Sequence, residues 1–270
     1  LFGSLKFKGI HKENEGFNFE FIEFKESDNL ILANNIKFNK KVEIDYIKGL
    51  IVQTRHNNLI NNKFKLSNED NIKIEGEIFD ARPLLINFYK SNKKKLLSKK
   101  FHGKILIGIE EIICDKRNHL SGFSMISEIK NGEYIKLTAK GRFSENEIVE
   151  ASIYKRDDNK KIVQLISDRA EPFIIGFNFI KGFRGGKLVY NSMYSEGISN
   201  SKIRISDFKI SRVPVLTQLL TLASLQGIAD TLTGEGIRFN ELEMDFNSKK
   251  NTINIDEMYA IGPAISLLMS

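Results

Sequence analysis

Phe17-Asn18-Phe19-Glu20-Phe21 is the stretch whose reading decides the fold. Apolar and polar residues alternate through it. A period of two puts three phenylalanines on one face of a β-strand and leaves Asn18 and Glu20 on the other. The pattern recurs along the chain: Ile72 and Ile74 run on through Gly76 to Ile78, Ile105, Ile107 and Ile109 follow, and then Ile135, Leu137 and Ala139. Towards the C-terminus come Ile203 and Ile205, then Leu242, Met244 and Phe246, then Ile253 and Ile255. Strands of this type are covered on one face only, as in antiparallel sheets. Asn57-Asn58, Asn61-Asn62, Asn131-Gly132, Glu196-Gly197 and Lys249-Lys250-Asn251 separate the runs and read as turns.

Three segments break the alternation, each with a proline near its start: Asp80-Ala81-Arg82-Pro83, Asp168-Arg169-Ala170-Glu171-Pro172 and Ser211-Arg212-Val213-Pro214. Proline is tolerated in the first turn of a helix, where the N–H groups have no intrahelical partner. These segments therefore predict helices, with Asp168 and Glu171 spaced as a capping box. The first helix is expected near 81–97. The third carries Val215, Leu216, Leu219, Leu220, Leu222, Leu225, Ile228 and Leu232, and Gly227 should kink or split it over 213–233. Its apolar residues occupy more than one stripe, so much of its girth must be covered. Pro263, after Gly262, reads as a turn.

The chain has 270 residues, of which 41% are hydrophobic, enough for a real core. A single cysteine excludes a disulfide framework and a cysteine-rich metal site. No run approaches the roughly 18 consecutive apolar residues of a transmembrane helix. The start, Leu1-Phe2-Gly3-Ser4, has neither Met nor a signal layout, so the expectation is a piece of a longer protein. Lys and Arg number 41 against 34 Asp and Glu, a net charge of +7. That balance suits an anionic surface weakly. The dense run Lys93-Lys94-Lys95 with Lys99-Lys100 has no interleaved aromatic, so it reads as solvated and nucleic acid is not an expected partner.

No catalytic motif emerges. His11, His56, His102 and His119 lack ligand spacing, Cys114 reads as an inert thiol at a strand end, and the pairs Glu110-Glu111 and Asp157-Asp158 read as solvated. Gly182-Phe183-Arg184-Gly185-Gly186 has no phosphate-loop spacing and reads as a helix C-terminus followed by a tight turn. Neither a cofactor, a metal nor an enzymatic activity is expected.

Residues 167–268 carry a specific resemblance. Asp207-Phe208 ends a strand; Pro214-Val215-Leu216, Leu219-Leu220 and Leu222-Ala223-Ser224-Leu225-Gln226-Gly227-Ile228 follow; then come Gly234-Glu235-Gly236-Ile237-Arg238-Phe239 and Gly262-Pro263-Ala264. With Asp168 and Gly185-Gly186-Lys187-Leu188 upstream, this series resembles the C-terminal region of the AsmA-like protein family. Gly76-Glu77-Ile78-Phe79-Asp80-Ala81-Arg82-Pro83 is the single motif-like point of the looser resemblance over 1–166.

The resemblance implies a mainly β protein with a few helices: a curved antiparallel β-sheet, groove-like or taco-shaped, with amphipathic helices covering one end. It implies a β-rich groove segment over 1–166 and an AsmA-like C-terminal region over 167–270. It also implies a periplasmic segment, anchored to the inner membrane of a Gram-negative bacterium through an upstream stretch, that carries phospholipids towards the outer membrane. The partners implied are phospholipid acyl chains and the inner and outer membranes or their proteins. Ile203, Ile205, Leu242, Met244, Phe246, Ile253 and Ile255 are then the candidates to line the groove, and the apolar residues of 213–233 the candidates for a plug or docking element. Periodicity alone favours a closed sheet–helix core, which most one-sided sheets form, and it is the resemblance that reverses this order. A structural or chaperone-like role in envelope assembly, working through strand addition, is the alternative.

Overall fold

The computed structural model describes residues 3–85, 101–156, 158, 160–174, 182–211, 236–249, 252–263 and 265–269. Strands dominate. The chain divides into two compact units, Leu1–Tyr134 and Ile135–Ser270. The first holds β1 (Gly3–Lys12), β2 (Gly16–Glu26), β3 (Asn29–Phe38), β4 (Ile44–His56), β5 (Leu59–Asn68), β6 (Ile72–Asp80), β7 (Gly103–Ile113) and β8 (His119–Lys130). The second holds β9 (Glu133–Ser144), β10 (Glu147–Lys155), β11 (Lys161–Ser167), β12 (Phe183–Ser195), β13 (Ile198–Ile210), β14 (Ile237–Lys249), β15 (Thr252–Ile261) and β16 (Ser266–Met269). Within each unit the strands pair in chain order.

The expectation of a purely antiparallel sheet is corrected. β6 and β7 run parallel, Ile72 facing Ile105 and Ile74 facing Ile107, so the sheet is mixed. The reason lies in residues 81–102 between them: a connection of that length carries the chain back to the starting edge, as a parallel pair requires, whereas a hairpin needs only a tight turn. Helix α1 occupies 82–85 of this connection, with the Leu85 N–H donating to the Ala81 carbonyl at 3.0 Å. The rest of the helix expected to 97, and the lysine run 93–100, lie outside the described residues.

Local sequence explains the turns. Asn57 and Asn58 have φ of 51° and 64° between β4 and β5, and Glu196 and Gly197 have 53° and 82° between β12 and β13, the two-residue hairpin geometry. Asn131 and Gly132 are likewise left-handed. Gly262 donates its N–H to the Ile265 carbonyl at 2.9 Å, as a turn at Pro263 should. Asn61-Asn62, expected as a turn, instead lies inside β5. Both amides are used across strands: the Thr54 hydroxyl donates to Asn61 Oδ1 at 2.8 Å, and Asn62 Oδ1 accepts the Asp80 N–H at 3.0 Å.

Two further expectations change. Helix α2 is the short Glu171–Ile174, and the Asp168 carboxylate does not cap it. That carboxylate accepts the Ile148 N–H at 3.1 Å and meets Lys187 at 3.3 Å, so β10 and β12 draw it away from the helix. Gly185 and Gly186, expected as a turn after a helix, are internal to β12. The expected helix continuation through Ile175 and Phe177, the helix over 213–233, Lys250-Asn251 and Ala264 lie outside the described residues.

Candidate functional site: the apolar sheet faces

In the first unit, strand register assembles the alternating residues into rows. One row runs Leu5, Phe24, Ile31, Val52, Phe64, Gly76, Ile109, Phe123, one residue from each of the eight strands. The next runs Phe7, Ile22, Ala33, Leu50, Leu66, Ile74, Ile107, Met125. Directly paired residues share a face, and the rows stand two residues apart, so both lie on the same side. Gly76 belongs there for steric reasons: a Cβ would come within 2.5 Å of Phe64 Cβ and 2.4 Å of the Lys63 carbonyl oxygen. The missing side chain lets the Phe64 ring meet Phe79 edge-on at 5.4 Å.

This face is apolar without being sealed. Ala33 and Ile109 are buried, but Leu5 and Phe7 are each 61% exposed, and Phe24 and Ile31 are over one-third exposed. Every other residue of the two rows is partly exposed. Sequence reasoning nominated none of these residues as groove candidates, although their alternation was visible, because only register shows that alternations on separate strands coincide on one face.

The second unit differs. Here Ala170 and Ile174, from the α2 segment, close over Phe183, Leu188, Ile205, Phe208, Ile237, Phe239 and Ala260. The rings of Phe183, Phe208 and Phe239 stack at 5.2 and 5.3 Å across β12, β13 and β14. Parity alone would place Phe208 opposite Ile205, three residues away, yet both are buried in this cluster. The pleat is broken between them by Asp207, with φ 54°, and on β12 by Gly185 and Gly186, with φ 72° and 82°. A Cβ on Gly186 would touch Phe208 Cβ at 3.0 Å. The glycine pair thus turns the phenylalanine row onto the same side as Leu188 and Ile205.

The seven nominated residues gather on that side. Ile205 faces Leu242, Ile203 faces Met244, and Phe246 faces Ile255, with Ile253 one row further on beside Ser248. They form a gradient. Ile205 is 4% exposed and part of the α2-covered core, with Ile203 and Leu242 packed against it, whereas Ile255 is 43% and Ile253 63% exposed. Hydroxyls interrupt the row: Ser201 donates to Ser192 at 2.9 Å, and Ser199 and Ser248 lie 2.7 Å apart. The eight nominated positions of 213–233 lie outside the described residues.

The opposite side of β13 and β14 is charged. The Glu243 carboxylate is nearly buried between Lys202 and Arg204, and the Lys202 ammonium, then Arg204, hold its pKa below the usual carboxylate value. Arg204 also meets Glu241 at 3.0 Å. In the first unit Asp80 accepts a two-pronged contact from Arg82, at 2.7 and 2.6 Å, that fixes the start of α1 and lowers the Asp80 pKa. Both are positioning contacts within the fold.

Burial, with Asp115 adding to it, pushes the Cys114 thiol up to about 11, so it is protonated at neutral pH. Among the described residues no group of three His, Cys, Asp or Glu could hold a metal ion, and no helix is long and apolar enough to cross a membrane. His119 Nδ1 lies 2.7 Å from Glu111. No family model, curated protein or solved structure matches the chain.

Proposed function

We propose that the chain is a segment of an AsmA-like protein that carries phospholipids between inner and outer membranes in the periplasm, with acyl chains lying along apolar β-faces. The observation that carries this reading is the pair of apolar rows crossing all eight strands of the first unit, with only Ala33 and Ile109 of their sixteen residues buried. Leaving such a face in water costs about 0.8 kcal/mol per exposed CH₂, and an acyl chain laid along it relieves the cost for both partners. Rows of equivalent side chains present the same surface at each step, so a chain can slide with no deep minimum to leave. In this reading the sheet is curved and groove-like, and the helices, α2 included, cover one end.

The test is direct. Phospholipid should co-purify with the chain, detected by mass spectrometry. Leu50→Asp in the first unit and Met244→Glu in the second should each cut lipid transfer by the full-length protein at least tenfold while melting shows a folded chain. Delipidated protein, with transfer intact in folded Leu50→Asp and Met244→Glu variants, sinks the proposal.

A second reading rests on β1. All ten of its residues are exposed, Leu5, Phe7 and Ile10 by 60% or more, and among the described residues it pairs only with β2. An open edge of this kind can accept a strand from an envelope protein, a structural or chaperone-like role. That role predicts that Phe7→Pro, which disturbs the edge and not the rows on β3 to β8, abolishes activity.

A further inference from the structure

Arg184, Lys209 and Arg238 face one another across β12, β13 and β14 in a single register row. Each immediately follows or precedes a buried phenylalanine of the stacked row, so the three cations stand on the reverse of the ring ladder. Neighbouring strands are about 4.8 Å apart, so the three side chains leave the sheet along a line of about 10 Å. With Gly185 and Asp207 they line a cavity of about 380 Å³.

Like charges directly opposite on paired strands repel, and a sheet normally avoids them. The nearby cations of this face are neutralised: Lys187 meets Asp168, Lys202 meets Glu243 and Asp245, and Arg204 meets Glu241 and Glu243. Arg184, Lys209 and Arg238 have no such partner, for no carboxylate of the described residues lies within 4.0 Å of them. The one acid at the cavity is Asp207, whose carboxylate makes no ion pair with any of the three cations, so the cavity keeps a net positive charge.

We propose that this row binds a phosphate group. Two guanidinium forks and an ammonium provide the donors and the charge a tetrahedral oxyanion takes, and the stacked rings beneath hold their backbones in place. Within the second unit the site is on the other face from Ile203, Ile205, Leu242 and Met244, and it does not depend on the proposed function.

Calorimetric titration of the chain at low salt with inorganic phosphate tests the site, alongside flotation with phosphatidylglycerol or phosphatidylcholine vesicles. Saturable phosphate binding is expected, weakened at least about tenfold in Arg238→Gln and lost in the triple variant Arg184→Gln/Lys209→Gln/Arg238→Gln. Lys140→Gln, a cation of the same unit off the row, should bind as the wild type does. The triple variant should melt no lower than wild type without phosphate, because repulsion has been removed; should it fail to fold, the single variants decide. Phosphatidylglycerol binding that inorganic phosphate competes away identifies a lipid headgroup as a source, and soluble binding alone identifies free phosphate. Absence of phosphate and vesicle binding by the wild type, equal loss in Lys140→Gln, or vesicle binding indifferent to phosphate and to the row variants overturns the proposal.

Discussion

Glu243 shows how one residue couples two strands. Its carboxylate is nearly buried on β14, yet two cations of β13 reach it, so it stays ionised below its usual range. A carboxylate whose pKa is depressed by folding adds stability that is fully present above its unfolded value and is lost as pH falls through the folded value. Glu243→Gln should therefore melt below wild type at pH 7, and the gap should close as the pH drops below about 4.5, the ordinary glutamate value. A gap that persists unchanged at acid pH would show that charge is not what the contact supplies. Asp207 is informative in another way. A non-glycine residue at φ 54° is tolerated because a short polar side chain suits the left-handed region. Asp207→Val should cost about 1–2 kcal/mol in denaturant unfolding, while Asp207→Gly should cost little or stabilise.

At the scale of elements, β12, β13 and β14 form the best-packed part of the described chain, and the phenylalanine ladder is its centre. Phe208 is 1% exposed, and Phe208→Ala should cost about 3–5 kcal/mol, read from chemical unfolding. Ile253, on the same face but open, should tolerate Ile253→Thr within about 0.5 kcal/mol. If the two substitutions cost the same, the gradient from covered core to open face is wrong. The alternation of β2, β6, β7, β9, β13, β14 and β15 was legible in their residues, since period two needs no partner to be seen. The breaks in parity were not. Gly185-Gly186 reads in isolation as a turn, and only the rings of the adjacent strands show that the pair realigns a strand in place. Asn61-Asn62 misleads for a related reason: an amide that favours turns also makes a good cross-strand ladder when Thr54 and the Asp80 amide face it.

At the scale of the whole molecule, strands that are neighbours in sequence are neighbours in the sheet within each unit, so each strand's stability derives chiefly from the strands on either side, as in repeat-like folds. Hydrogen exchange should be graded accordingly: amides of β13, flanked by packed strands, should outlast those of exposed β1 by orders of magnitude. Uniform protection would contradict that nearest-neighbour picture. By itself the sequence determined the mainly β character, the alternation of seven of the strands and the turns at Asn57-Asn58, Asn131-Gly132 and Glu196-Gly197, because alternation and turn chemistry are local properties of the chain. Only tertiary structure decided the parallel β6–β7 pair, the rows that cross a whole unit, the sealing of Ile205 beneath α2 beside an open Ile253, and the row of three cations on the reverse of the ladder. Those depend on which strands pair and in what register, and register is set by matching the patterns of two strands through the turn between them, so it cannot be read from any one strand alone.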